Sequence, residues 1–176
     1  MKAKDGFIQG YNAQAAVDAE AQVIVAHGLD PNGSDQHQLT PIIDAVEANM
    51  GRKPDEVSAD AGYCSDANLA AMEERAIDAY IAPGRAKHAV EGEGGGARIA
   101  AMREKIKAGG HATPYRLRKQ LPEPVFGQIK QARGFRQFLM RGLDKVAHEW
   151  GLVCLAHNML KLAKGRSLSE AELAPA

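Results

Sequence analysis

The chain is short of cysteine, of long apolar runs and of any overall charge, and each shortage removes a class of protein. Cys64 and Cys154 are the two cysteines, far apart and outside any Cys-x-x-Cys spacing. They support neither a disulfide framework nor a structural zinc site, and read as reduced, half-buried thiols. The six histidines, at 27, 37, 88, 111, 148 and 157, show no His-x₃-His or comparable metal-ligand spacing and read as structural. No segment approaches the ~18 apolar residues of a membrane span, and the first six residues do not read as a signal peptide. A cytoplasmic protein without a membrane partner is the expectation.

With 176 residues, 45% apolar and 25% charged, the chain has the size and make-up of one globular domain with a real core. Its formal net charge of zero conceals an asymmetry. Residues 1–80 hold 5 Lys+Arg and 14 Asp+Glu, whereas residues 81–176 hold 17 and 8. A half that basic points to a polyanionic partner, although a dipolar protein with solvated helices has the same composition.

Residues 7–17 and 23–26 read as two strands joined by the polar turn Asp18-Ala19-Glu20, with a hairpin as the natural connection. Asp30-Pro31-Asn32-Gly33-Ser34 is loop chemistry. From Gln38 to Met50, Leu39, Ile42, Ile43, Val46 and Met50 recur at helical spacing, and Gly51 stops the helix. A short strand, Val57 to Asp60, ends at Gly62, and Ser65 or Asp66 can cap a helix from Ala67 to Arg75. Asp78 to Ala82 reads as a further strand. This order predicts an α/β protein with one sheet of mixed direction. Glu91 to Gly96 reads as a linker or loop tip; a phosphate cradle is the sharper alternative, but no Lys-Ser/Thr follows. Ala97 to Lys107 is a helical segment, another helix opens near Pro124, and a long one is predicted from Phe135 to Leu162. The apolar face of that long helix includes Phe138, Leu139, Leu143, Val146, Trp150, Val153, Leu155, Met159, Leu160 and Leu162, and reads as core.

Two acids stand where chemistry could use them. Asp60 follows a strand and precedes a glycine-permitted turn, a position that faces the ligand crevice in open α/β sheets; a lone acid there also suits a cap or a solvated loop. Glu123 lies between Pro122 and Pro124, beside a helix N-terminus that favours a carboxylate with or without function. Lys130 and Arg133 lie seven and ten residues on, near the same side of that helix. Residues 116–145 hold Arg116, Arg118, Lys119, Lys130, Arg133, Arg136, Arg141 and Lys145 against Glu123 and Asp144. Phosphate contact is the reading of that density, against a plain solvated face. Two carboxylates beside a cationic surface match metal-dependent phosphodiester chemistry, which needs oxygen ligands and a polyanion.

Five segments in order, Gln9 to Asp18 (QGYNAQAAVD), Ala59 to Tyr63 (ADAGY), Glu123 to Lys130 (EPVFGQIK), Arg133 to Arg136 (RGFR) and Ala156 to Asn158 (AHN), together resemble bacterial insertion-sequence transposases with an Asp-Asp-Glu site. The likeness covers about residues 5–164. It implies a ribonuclease H-like mixed sheet flanked by helices, with a long C-terminal helix and a disordered tail over 165–176. It also implies cutting and joining of double-stranded DNA at transposon ends, with Mg²⁺ (or Mn²⁺) as cofactor, a homodimer among the open partners, and no small-molecule substrate. On the resemblance Asp60 matches the second catalytic Asp and Glu123 the catalytic Glu, both as metal ligands. Lys130 matches the Lys of a Tyr-Arg-Glu-Lys signature; Arg118 or Lys119 resembles its Arg and Tyr115 its Tyr, one residue out of register. Arg118, Lys119, Lys130, Arg133 and Arg136 are the implied DNA contacts. The first catalytic Asp, on an opening central strand, has no counterpart here. Asp5, Asp18 and Asp35 are the nearby acids, with Asp18 at a hairpin turn and Asp35 in a loop. The chain alone is therefore expected to perform little or no strand transfer.

Overall fold

The computed structural model describes residues 2–3, 6–7, 10–83, 96–109, 114–117 and 122–173. Its strands are β1 (Lys2–Ala3), β2 (Gly6–Phe7), β3 (Asn12–Val17), β4 (Ile24–Asp30), β5 (Glu56–Ala59) and β6 (Asp78–Ile81). Its α-helices are α1 (Leu39–Met50), α2 (Asp66–Glu74), α3 (Ala97–Gly109), α4 (Pro122–Gly127) and α5 (Leu143–Leu173). The predicted order from the hairpin to β6 therefore stands. The first hairpin strand is shorter than expected: it begins at Asn12, while Gly6–Phe7 pairs antiparallel with Lys2–Ala3.

Asp18 organises the hairpin turn. Its Oδ2 accepts from the backbone N–H groups of Glu20 and Ala21, at 3.2 and 2.6 Å, and its own N–H donates to the Val23 carbonyl at 2.8 Å. These are the local bonds that make Asp a turn residue. The ladder shifts register between Ala16 and Val17, so that Val25 is bulged. A bulge resets the alternation of a strand. It lets Ile24 and Leu29 join Ala13, Ala15 and Val17 in one apolar cluster with Val125, Ile129, Trp150 and Cys154. A second cluster lies across α1, α2, β6 and α3, through Leu39, Ile43, Leu69, Met72, Ile81 and Met102. Gly51 ends α1 at φ +69°, a left-handed conformation that glycine adopts without steric cost. Ser65 caps α2 by accepting from the Asn68 N–H at 3.1 Å.

One mixed sheet is expected, but the described residues form three two-stranded sheets: antiparallel β1/β2, antiparallel β3/β4 and parallel β5/β6. The reason is a gap. Ala15 to Val17 on β3 and Glu56 to Ser58 on β5 line the same cavity of ≈ 470 Å³ instead of pairing, and Ile43 and Val46 of α1 also line it.

The long helix also departs from expectation. It begins at Leu143, because Gly134 and Gly142 adopt φ values of +71° and +89° and the chain between them turns irregularly. The buried Glu149 carboxylate holds that stretch, accepting from the N–H groups of Leu139 and Met140 at 2.9 and 3.0 Å. The helix continues past Leu162 to Leu173, into the segment expected as a tail. It packs through Val146, Trp150, Cys154 and His157, all buried, whereas Leu139, Leu143, Leu155, Met159, Leu160 and Leu162 are exposed rather than core. Burial pushes the Cys154 thiol up to about 12, which leaves it unreactive.

Candidate nucleic-acid interface and its carboxylates

Asp60 follows the last residue of β5 and starts a single 3₁₀ turn, Ala61–Tyr63, in which the Tyr63 N–H donates to the Asp60 carbonyl at 3.1 Å. Its side chain makes no capping bond and is exposed, leaving both carboxylate oxygens for a ligand. The loop is braced from the hairpin. Asn12 and the buried Gln14, two residues apart on one face of β3, donate their side-chain amides to Asp35 Oδ1 at 2.6 and 2.8 Å. The Tyr63 hydroxyl donates to Gln14 Oε1, and Asn68 Nδ2 donates to the carbonyls of Tyr63 and Gln36 at 2.7 and 2.8 Å. Burial, with Asp35 and Asp60 nearby, raises the Tyr63 phenol well above its ordinary value and keeps it a hydrogen-bond donor.

Two of the nearby acids, Asp18 and Asp35, have partners of their own. Asp18 is spent on the hairpin turn. Asp35 Oδ1 already accepts two amides, and Asp35 Oδ2 packs on Gly62. Asp35 thus positions the Asp60 loop, a role that its place before a helix did not reveal. The signal available for it was the alternation of Asn12 and Gln14 among alanines, two polar side chains on one strand face.

Glu123 is exposed at the second residue of α4, whose Val125 is fully buried against the hairpin cluster. Pro122 lines the same cavity as Glu56 to Ser58, so α4 starts beside β5. Among the described residues no three His, Cys, Asp or Glu side chains gather as a metal-holding group. Asp60 and Glu123 are nevertheless the right donor type for a hard divalent cation, with oxygens unclaimed by the hydrogen bonds around them.

From Gly127 the helix widens into one π turn, Gln128–Ala132, which carries Lys130 outward and buries Ile129. Such insertions recur at functional sites. Lys130 and Arg136 are exposed and, with Arg141, line a cavity of ≈ 620 Å³ whose other walls include Tyr11, Phe126 and Phe138. Phe126 stacks on Trp150 with centroids 5.9 Å apart, and Phe138 meets Tyr11 and Trp150 edge-on at 6.0 and 6.4 Å. Among the described residues no Asp or Glu lines this cavity. Several cations elsewhere are paired: Arg98 with Asp66 and Glu73, Arg75 with Asp44, Lys105 with Asp78. Among the described residues Lys130, Arg136 and Arg141 enter no ion pair, as is also true of Lys53, Arg103, Arg116, Lys145 and Lys161 elsewhere; what sets these three apart is that they line one cavity. Arg141 was read from sequence only as part of the basic run over 116–145, and Phe138 and Trp150 as core rather than as cavity walls.

Arg133 points elsewhere. Its guanidinium donates to Nδ1 of the fully buried His157 at 3.0 Å, and His157 Nε2 donates to the Gln22 carbonyl at 3.0 Å. Asn158 adds a two-way clasp on Ile24, accepting its N–H at 2.9 Å and donating to its carbonyl at 2.8 Å. The AHN and RGFR segments therefore lock α5 to the hairpin, and the structural reading of His157 stands. Tyr115 is buried with its ring 6.1 Å from that of Tyr80. Arg118 and Lys119 lie outside the described residues, as do Asp5 and residues 91–95 of the glycine-rich stretch.

The chain is thus an α/β domain with a carboxylate at a strand exit, a second on a helix start and a cavity lined by Lys130, Arg136 and Arg141. A family model described as the transposase DDE domain matches residues 1–159, and the chain belongs to that family. No curated protein and no solved structure matches the chain. No helix among the described residues is long and apolar enough to cross a membrane.

Proposed function

We propose that the chain forms the C-terminal part of a ribonuclease H-like catalytic domain that binds transposon ends, with Asp60 and Glu123 as two of its metal-binding carboxylates. The observation that carries the reading is the run from Glu123 through α4 and the π turn to Lys130, Arg136 and Arg141, cations around one cavity that no Asp or Glu lines among the described residues. Cations left without carboxylate partners are available to phosphates, and their neutralisation of DNA releases counterions. In this reading Lys130 and Arg136 grip the backbone, joined by Arg118 or Lys119 as the family likeness implies. Arg133 acts through His157, fixing the loop that carries Arg136.

Among the described residues β3 and β5 do not pair with each other, which supports a sheet completed by one further strand between them. A strand there would run beside the Asp60 loop, where the first acid of the family site belongs. Mg²⁺, or Mn²⁺ in its place, would be held by Asp60 and Glu123 and would supply the Lewis acid for an in-line displacement at phosphorus. The hairpin network of Gln14, Asp35 and Tyr63 holds Asp60 in position for that ligand.

A second reading, a domain that binds DNA without cutting it, is favoured by the lack of a three-donor group among the described residues. A labelled duplex tests both. The expected result is salt-sensitive binding with no metal-dependent nicking by this chain alone. Nicking that needs Mg²⁺ and stops in Asp60→Ala would make this chain a complete enzyme. Failure to bind at low salt would remove DNA as the partner.

A further inference from the structure

The chain between the π turn and α5 forms a loop with an apolar tip and a fixed backbone. At the tip Leu139 and Met140 are 79% and 49% exposed, and Leu139 is the most exposed large apolar side chain among the described residues. Their peptide groups are held from below. The buried Glu149 accepts both N–H groups, one on each carboxylate oxygen, and the Gly142 N–H donates to the Tyr11 hydroxyl at 3.1 Å. Phe138, next to the tip, meets Tyr11, Phe135 and Trp150 edge-on. A carboxylate is costly to bury unless it is well bonded. Here a buried acid holds two apolar side chains out in water.

We infer that the Leu139–Met140 tip is a wedge that enters a base-pair step of duplex DNA and unstacks it, which rests on the DNA-binding reading above and adds a deformation of the duplex to it. Charge complementarity selects this partner. Arg136 and Arg141 stand three residues before and two residues after Leu139, both exposed and in no ion pair. Arg136 donates to the neutral Gln131, which leaves its charge uncompensated. Met140 lines the same cavity as Lys130, Arg136 and Arg141, so tip and cations form one surface. A Leu or Met side chain driven between bases, with cations on the flanking phosphates, kinks a duplex. Such a wedge needs a rigid mount, and Glu149 with the Phe138 ring supplies it. Two side chains are too little apolar area to anchor a protein on a lipid surface, whereas they suffice to fill one opened step.

The test titrates the whole chain at low salt against two short duplexes of one sequence, fully paired or with a single central mismatch. Unstacking is easiest where pairing is already disrupted. Wild type should therefore bind the mismatched duplex at least about tenfold more tightly. The double variant Leu139→Ser, Met140→Ser should lose that preference and keep its salt slope and melting temperature. Its side chains replace groups already in water, and its backbone N–H groups still reach Glu149. Leu139→Met should retain the preference. Equal binding of both duplexes by wild type, or a preference that survives in the Ser variant, would overturn the wedge and leave the DNA reading standing. Absence of binding to either duplex would remove both. Tip-dependent binding to phosphatidylserine vesicles, with no mismatch preference, would make the loop a membrane contact and overturn the wedge.

Discussion

A β-carbon placed on Gly62 would lie 2.7 Å from Asp35 Oδ2 and 3.2 Å from Asp35 Cβ. The glycine after Asp60 is thus required by a neighbour distant in sequence, since Gly62 has no left-handed φ to account for it. Asp35 cannot retreat cheaply, because Asn12 and Gln14 hold its other oxygen. Gly62→Ala should destabilise the protein by roughly 1–3 kcal/mol in urea denaturation. Gly127→Ala, in helical backbone with nothing within 4 Å of the new carbon, should instead stabilise by about 0.5–1 kcal/mol. Equal effects at the two glycines would refute the packing account.

Asn158→Ala should cost about 2–4 kcal/mol. It removes two hydrogen bonds at once and strands the N–H and C=O of Ile24 beneath α5. Denaturation midpoints measure the loss, and Met159→Ala, at an exposed position on the same helix, is the control expected to move stability by less than about 0.5 kcal/mol in the monomer.

His157 makes stability depend on pH. Burial lowers its pKa below 6.5, and Arg133 and Lys161 add to the lowering against the bond to the Gln22 carbonyl. The unfolded chain then binds a proton that the folded chain refuses, so this contribution is fully present above pH 6.5 and is lost as pH falls through and below that value. Urea midpoints of wild type should drop more steeply below pH 6.5 than those of His157→Gln. Parallel curves would mean that His157 does not titrate on unfolding.

Lys130→Ala and Arg136→Ala should each weaken duplex binding and reduce the salt slope, d log K/d log[salt], by about 0.9. Arg133→Ala should leave the slope nearly unchanged and lower the melting temperature, because its guanidinium is committed to His157. If Arg133→Ala changes the slope as much as Lys130→Ala does, both arginine assignments need exchanging.

Local chemistry made much of this architecture legible. Gly51, Ser65 and the Asp18 turn act through neighbours a few residues away, and α1, α2 and the hairpin were readable for that reason. The AHN segment could be noticed, but not explained, because its partners Gln22 and Ile24 lie over 130 residues earlier. The start of α5 was misread because apolar spacing continues through Phe135 and Phe138, while the breaks come from the backbone of Gly134 and Gly142. Periodicity likewise could not say which of two apolar sides of α5 faces the hairpin. At the site, Asp60 and Glu123 were visible as isolated acids. Their setting was not, because Asp35, Gln14 and Tyr63 meet only through the tertiary fold.

The clasp between α5 and the hairpin also sets an order of events during synthesis. The Trp150 indole N–H donates to the Gln14 carbonyl and Asn158 brackets Ile24, across 136 and 134 residues of chain. At roughly 5–20 residues per second, the hairpin leaves the ribosome on the order of ten seconds before the helix that covers it. Through that interval its apolar face and the free edge of β3 are open to neighbouring chains. A nascent chain stalled before Trp150 would carry a strand pair ready to aggregate, so yield in the cell should respond more to elongation rate and chaperone supply than to the stability of the finished domain.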